Sequence, residues 1–98
     1  MTLIEEVIDT LTSYNLSNNF PNPFNPSTKI AYVLKEKTNV KLLVMNALGE
    51  EVAVLVNQTQ EQGYHQLDFN ASNLPSGIYF YSLQTDNFSE TKKMLLMK

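Results

Sequence analysis

A proline-rich segment near the start of the chain constrains the fold more than any other part of the sequence. Residues 19–28 read NFPNPFNPST, with three prolines among ten residues. Each proline fixes its own φ at about −65° and pushes the preceding residue toward extended conformations. A helix is therefore excluded here, and a central strand is disfavoured. Because the segment is stiff before folding, ordering it costs little entropy. We predict a rigid entry loop anchored by Phe20 and Phe24.

The rest of the chain alternates short apolar runs with turn residues. This pattern predicts six strands, at residues 29–34, 40–45, 50–56, 64–69, 78–84 and 90–97. The polar stretch 57–63 is predicted as a loop, residues 70–77 as a turn-rich connection, and Asp86-Asn87 as the turn of a last hairpin. Short strands at this spacing are typical of an antiparallel β-sandwich.

One turn is specified by its residues. Asn46-Ala-Leu-Gly49 fits a type I turn, which favours Asn at the first position and Gly at the fourth. A glycine there adopts positive φ and forms a bulge that closes a hairpin. We therefore expect Gly49 to have positive φ.

The first eleven residues follow a different pattern. Apolar residues at positions 3, 4, 7, 8 and 11 have helical spacing, and Thr2 with Glu5 matches a capping box. The segment is acidic rather than basic, so it is not a signal peptide. We predict a short helical or disordered segment within residues 1–16, which would be a linker or the tail of an upstream protein.

Composition excludes several functions. The net charge is −3 and cysteine is absent, which argues against nucleic acid as a partner and leaves no thiolate metal site. No apolar run approaches the roughly 20 residues of a membrane span. His65 is the only histidine and is expected at a strand rim. Adjacent strand residues face opposite sides, so Glu50 and Glu51 do not form an acid–base pair. We predict no cofactor, no metal and no enzymatic activity.

Two tyrosines leave two interpretations open. Tyr79 and Tyr81 share one face at strand spacing. They could form an aromatic platform for a sugar, together with Tyr64, or they could be part of the core. The flanking Ile78 and Phe80 favour the core.

Four motifs occur in a fixed order along the chain. They are FPNPFNPSTKI at 20–30, NALGEEV at 46–52, LPSGIYFY at 74–81 and TKKMLLMK at 91–98. In this order the chain resembles the type A C-terminal sorting domain of the type IX secretion system of Bacteroidetes. Asn46 stands where that family often has Asp, and Phe69 where it often has Trp. The residues that carry the resemblance are Pro21, Asn22, Pro23, Phe24, Asn25, Pro26, Ser27, Thr28, Gly49, Gly77 and Tyr79.

The resemblance implies both fold and function. It implies an all-β, immunoglobulin-like antiparallel sandwich of about seven strands, with residues 17–98 as a non-catalytic sorting domain on a larger cargo protein. The domain would fold in the periplasm and bind the type IX machinery, which carries cargo to the cell surface or medium. A sortase-like surface protease would then cut between Thr10 and Asn19, and the cargo would be anchored to lipopolysaccharide or released. The alternative is the similar immunoglobulin-like domain of a flagellar hook-capping protein, or a carbohydrate-binding sandwich.

The last predicted strand is the candidate recognition element. Its lysines are typical of an edge strand guarded against aggregation, and edge strands are also what strand-adding receptors bind. The resemblance favours recognition, because it places the family's sorting signal at the end of the chain. The candidate residues are Lys92, Lys93, Met94, Leu95, Leu96, Met97 and Lys98.

Overall fold

The computed structural model describes residues 13–98, so the predicted helical or disordered segment lies mostly outside the described residues. Within that range the fold has seven strands and no helix. They are β1 (Asn15–Leu16), β2 (Ser27–Leu34), β3 (Thr38–Asn46), β4 (Glu51–Gln60), β5 (Gly63–Asn70), β6 (Gly77–Thr85) and β7 (Ser89–Leu96).

The strands form two antiparallel sheets. One has the order β1-β2-β5 and the other β4-β3-β6-β7. Four strands packed on three is the division found in constant-type immunoglobulin sandwiches. The predicted all-β sandwich is confirmed.

The core lies between the two sheets because strand residues alternate between the faces. In β5, His65, Leu67 and Phe69 point inward as the sequence pattern indicates, and their neighbours are exposed. The buried apolar cluster takes residues from six of the strands and the intervening loops: Leu16, Phe24, Ile30, Tyr32, Leu34, Val40, Leu42, Val44, Phe69, Ala71, Tyr79, Tyr81, Leu83, Met94 and Leu96.

The β3–β4 hairpin closes as its sequence predicts. Gly49 has φ of +84°, and its N–H donates to the Asn46 carbonyl at 3.0 Å. The Asn46 side-chain oxygen accepts from the N–H groups of Leu48 and Glu50 at 2.9 and 3.0 Å. The Asn46 N–H donates to the Glu50 carbonyl at 2.9 Å, so Gly49 is the extra residue of the predicted bulge at the turn. A separate register shift lies between Val44 and Met45.

Two details of the strand prediction are wrong. Residues 57–60, predicted as loop, continue β4, because β3 begins at Thr38 and its backbone pairs with them, Thr38 opposite Gln60. An edge strand tolerates this polar composition, since much of it faces water. The second detail is β1, which was not predicted because two residues carry no periodicity. The proposed boundary between residues 16 and 17 stays a prediction.

Candidate recognition site at the edge of the four-stranded sheet

β7 lies at the edge of the four-stranded sheet, as predicted for the last strand. Met94 and Leu96 point inward and are buried, whereas Lys93 is exposed. Lys92 is half-buried, and its ammonium lies 3.5 Å from the Glu90 carboxylate. Two of the seven candidate residues are therefore core, and only the outward residues are open to a partner.

The proline-rich segment packs against the second half of β7. We call residues 20–26 the strap. The Phe24 N–H donates to the Leu95 carbonyl at 2.9 Å, and the Phe24 carbonyl accepts from the Met97 N–H at 3.0 Å. The Leu95 N–H donates to the Asn22 side-chain oxygen at 3.0 Å. The structure thus brings the candidate recognition strand and the proline motif together.

Phe24 anchors the strap in the core. Its side chain is 2% exposed, and its ring lies 6.2 Å from that of Phe69 in a tilted arrangement. Tilted aromatic pairs stabilise beyond their buried area. Phe20, the other predicted anchor, is 78% exposed, so that part of the prediction is wrong. The chain holds Phe20 through its backbone, which exchanges two hydrogen bonds with Lys29.

A buried polar cluster fixes the start of the strap. The Thr28 hydroxyl donates to the Pro21 carbonyl at 2.8 Å, and the Asn19 amide donates to the Thr28 hydroxyl oxygen at 3.1 Å. Both side chains are buried. The Pro21 carbonyl lies outside the sheets, so the Thr28 hydroxyl and the Asn19 amide supply its hydrogen-bond partners. Sequence reasoning did not single out Asn19, and its only signal was its position two residues before the first proline.

The strap and several motif residues meet at one end of the sandwich. The register places Gly77 opposite Leu96 and Asn46 opposite Tyr79. The hairpin tip at Gly49 and the strap therefore lie at the same end, which we call the strap end. Lys98 also lies here, since its ammonium donates to the Ser72 carbonyl at 2.6 Å. Positions far apart in sequence thus form one region.

The opposite end carries the start of the described chain, and we call it the junction end. Tyr14 stacks on Phe88 of the β6–β7 turn, with 5.0 Å between ring centroids. The Tyr14 hydroxyl donates to the Glu36 carboxylate at 3.0 Å. The described chain therefore begins at the end opposite Leu96.

Tyr79 and Tyr81 belong to the core, and the sugar-platform interpretation is wrong. Both side chains are buried between the sheets, while Tyr64 is 63% exposed on the other sheet. The Tyr79 hydroxyl donates to the Pro75 carbonyl and the Tyr81 hydroxyl to the Ser17 carbonyl, each at 2.6 Å. Burial raises the pKa of Tyr81 to about 12, although a backbone hydrogen bond from Asn19 lowers it in part.

The other side chains considered for catalysis or metal binding do not come together in one site. His65 is half-buried on the edge strand β5, where it stacks on Tyr32 with 5.3 Å between rings. Its Nε2 lies 2.8 Å from the Glu61 carbonyl. Among residues 13–98 no three His, Asp or Glu side chains are grouped as metal ligands. In the same range no helix is long and apolar enough to cross a membrane.

Comparison with known families decides the identity of the domain. Residues 18–97 match the family described as secretion system C-terminal sorting domain. The chain belongs to this family. The resemblance to type IX sorting domains is thereby confirmed. The sorting domain includes the strap, both hairpins and all of β7.

A solved structure supports the fold of the sorting domain. It is that of PorZ, an essential bacterial surface component of the type IX secretion system of Porphyromonas gingivalis, with a TM-score of 0.58 and 14% identity. The likeness covers 94% of this chain and 12% of that chain, so it concerns one domain of a much longer protein. At this identity it shows the fold alone. No curated protein matches the sorting domain.

Proposed function

We propose that this sorting domain directs an attached cargo protein through the periplasm and across the outer membrane by the type IX secretion machinery. The cargo would reach the cell surface or the medium, and the domain would act by binding rather than catalysis. The family match carries the proposal, and it favours sorting over the flagellar hook-capping alternative.

The arrangement of the two ends supports this function. The chain enters at the junction end, beside Phe88, while β7 runs toward the strap end and finishes at Leu96. Eight strand residues at about 3.3 Å each separate the two ends by roughly 25 Å. A receptor bound at the strap end would therefore not collide with a folded cargo attached at the junction end.

The candidate recognition residues are Lys92 to Lys98, of which Met97, at the strap end, is 55% exposed. We propose that this exposed part, rather than the buried Met94 and Leu96, contacts the translocation machinery. Deleting all seven residues would also remove two core side chains, so single surface substitutions are the sharper test.

The experiment fuses a periplasmic reporter ahead of residues 1–98 in a host with the type IX system. The fusion should reach the surface or medium, and a host lacking the system should retain it. Met97→Glu should reduce export, while Leu48→Glu should not, because Leu48 is 84% exposed at the tip of the β3–β4 hairpin. Equal export of both variants, with unchanged melting temperatures, would remove the role proposed for Met97. Export of the reporter without the domain would remove the sorting function itself.

We also propose that a sortase-like protease separates the domain from its cargo within the window from Thr10 to Asn19, followed by surface anchoring or release. Leu16 is buried and β1 pairs with β2, so a protease would have to unpair β1 to cut after Asn15. We therefore expect the cut ahead of Asn15. Mass spectrometry of the exported cargo checks this, and a new terminus beyond Leu16 would contradict it.

A further inference from the structure

The outer edge of β7 is paired with the strap along its second half but not along its first half. In an antiparallel strand the N–H and C=O of one residue point to the same side, and successive residues alternate. The strap bonds to the backbone of Leu95 and Met97, so odd-numbered residues direct these groups away from β6. The same geometry applies to three exposed residues in the first half of the strand: Ser89, Thr91 and Lys93.

Nothing pairs with the first half within residues 13–98. The sheet order ends at β7, and the bridge to the strap begins only at Leu96. β1 lies close to β7 but belongs to the other sheet. The open edge therefore offers two backbone groups on each of its three outward residues, and the strap fixes where this edge ends.

The surroundings of the open edge are basic and partly apolar. The ammonium of Lys93 has no carboxylate partner among residues 13–98, whereas Lys92 is paired with Glu90. On the outer face beside Lys93 lie Leu95, which is half-buried, and Ile78, which is 45% exposed. An added strand would cover these apolar side chains and face a free positive charge.

A second copy of the chain fits this edge poorly. Two β7 strands paired edge to edge would bring Lys92 and Lys93 of one copy near those of the other, and like charges across strands are destabilising. A partner strand with acidic residues has the opposite charge. Its carboxylates would be attracted to these lysines, which repel those of a second copy.

We propose that residues Ser89–Lys93 bind, by strand addition, an extended segment of a partner protein in which acidic and apolar side chains alternate. The proposal rests on the sorting function, since the partner is taken to be a component of the secretion machinery. Strand addition supplies affinity through main-chain hydrogen bonds and specificity through alternate side chains. The strap limits the added strand to the first half of β7, so this contact lies nearer the junction end and is distinct from the one proposed at Met97.

The other free edges differ in ways that serve as controls. β4 has two register shifts along its pairing with β3, and such bulges disrupt an edge for further pairing. β5 pairs regularly with β2, but the exposed side chains on its outer face carry no cation. Because the Ala71 N–H donates to the Pro26 carbonyl, the alternation directs the backbone of Gln66 outward from β5.

The first test measures binding of two labelled synthetic heptapeptides to the full chain by fluorescence anisotropy. One peptide alternates valine and glutamate, and the other alternates valine and lysine. The glutamate peptide should bind at least about tenfold more tightly, and equal affinity would overturn the acidic-partner assignment. Amide hydrogen exchange at Thr91 and Lys93 should be fast in the free protein and slow in the complex. Protection before peptide is added would show that the chain covers its own edge, and would overturn the proposal.

The second test uses matched proline variants. Thr91→Pro removes one outward N–H and obstructs an incoming strand, and it should abolish peptide binding. Gln66→Pro makes the same change on β5 and should leave binding intact. If Thr91→Pro does not fold, Lys93→Glu keeps the fold and should reverse the preference between the two peptides. Unchanged preference in Lys93→Glu would overturn the proposal.

Export separates this proposal from the sorting function. If Thr91→Pro and Lys93→Glu fusions are folded and exported as well as the unmodified fusion, sorting stands and recognition at this edge does not. If the unmodified fusion is not exported although the glutamate peptide binds at Thr91, the edge is a strand-addition site but the sorting function fails.

Discussion

At the strap end of the sandwich, buried side chains and backbone groups from distant parts of the sequence bond to one another, whereas at the junction end the half-buried Tyr14 and Phe88 stack and Tyr14 bonds to the exposed Glu36. The buried Phe24 bonds through its backbone to Leu95 and Met97, and the Thr28 hydroxyl lies in the buried polar cluster at the start of the strap. At the junction end the solvent-exposed Glu36 carboxylate accepts hydrogen bonds from the Tyr14 hydroxyl and the Asn87 side-chain amide. Buried contacts contribute far more to stability than exposed ones. We therefore expect the strap end to be rigid and the junction end to be more easily deformed.

This difference matches what each end has to do under the proposed function. The contact surface proposed around Met97 has to hold one shape, while a junction to variable cargo has to tolerate different neighbours. Substitutions should therefore lower the free energy of unfolding most at or near the strap and least at the junction end.

The largest effect is expected for Phe24→Ala. Loss of a buried phenylalanine costs roughly 3–5 kcal/mol, and the strap would lose its contact with Phe69 as well. Urea unfolding should show this decrease in the free energy of unfolding. Phe20→Ala is the matched control, because Phe20 is 78% exposed and should change stability little. Similar costs for the two variants would contradict the account of the strap as a core-anchored segment.

The second effect is a pH dependence that comes from Tyr81. Burial raises its pKa to about 12 from the ordinary 10.0. The folded state thus favours the neutral hydroxyl, and this contribution to stability is complete below pH 10 and is lost as the pH rises through about 12. The loss is roughly 2–3 kcal/mol.

Tyr81→Phe isolates this contribution. The variant lacks the hydroxyl that bonds to Ser17, so it should be less stable at pH 8. The gap between the two proteins should narrow between pH 10 and pH 12, because only the unmodified protein loses stability by ionising Tyr81. Urea unfolding at both pH values measures the gap, and a constant gap would show that Tyr81 is accessible to solvent.

The third effect concerns Gly49 at the tip of the β3–β4 hairpin. Its φ of +84° strains any residue with a branched Cβ, so Gly49→Val should cost roughly 1–3 kcal/mol. No atom lies within 4 Å of the position of a new Cβ, and the cost is therefore conformational rather than steric. Gly49→Asn should cost less, because Asn tolerates positive φ. Thermal unfolding of both variants checks the difference, which should vanish if the turn rearranges.

The strands and the hairpin tip followed from local sequence, whereas the strap end did not. Alternation in β5 and the Asn46–Gly49 turn depend on neighbours within a few residues, and both predictions are confirmed. The strap's pairing with β7 joins Phe24 to Leu95, which no local pattern encodes. The burial of Asn19 and the pairing of residues 57–60 with β3 likewise depend on tertiary neighbours. For the candidate site, the sequence indicated an edge strand but not that the strap covers half of it.

The smallest effect is expected at the junction end, for Glu36→Ala. The Glu36 carboxylate accepts from the Tyr14 hydroxyl at 3.0 Å and from the Asn87 amide at 3.3 Å, but these are exposed contacts. Water replaces them when they are lost, so the cost should be about 0.5 kcal/mol. Thr28→Val removes a buried hydroxyl of similar connectivity at the strap end, and leaving its partners unsatisfied should cost roughly 1–3 kcal/mol. Urea unfolding of the two variants under one set of conditions compares the ends directly. Equal costs would mean that both ends are held with the same strength, and the proposed division between a rigid recognition end and a compliant junction would no longer hold.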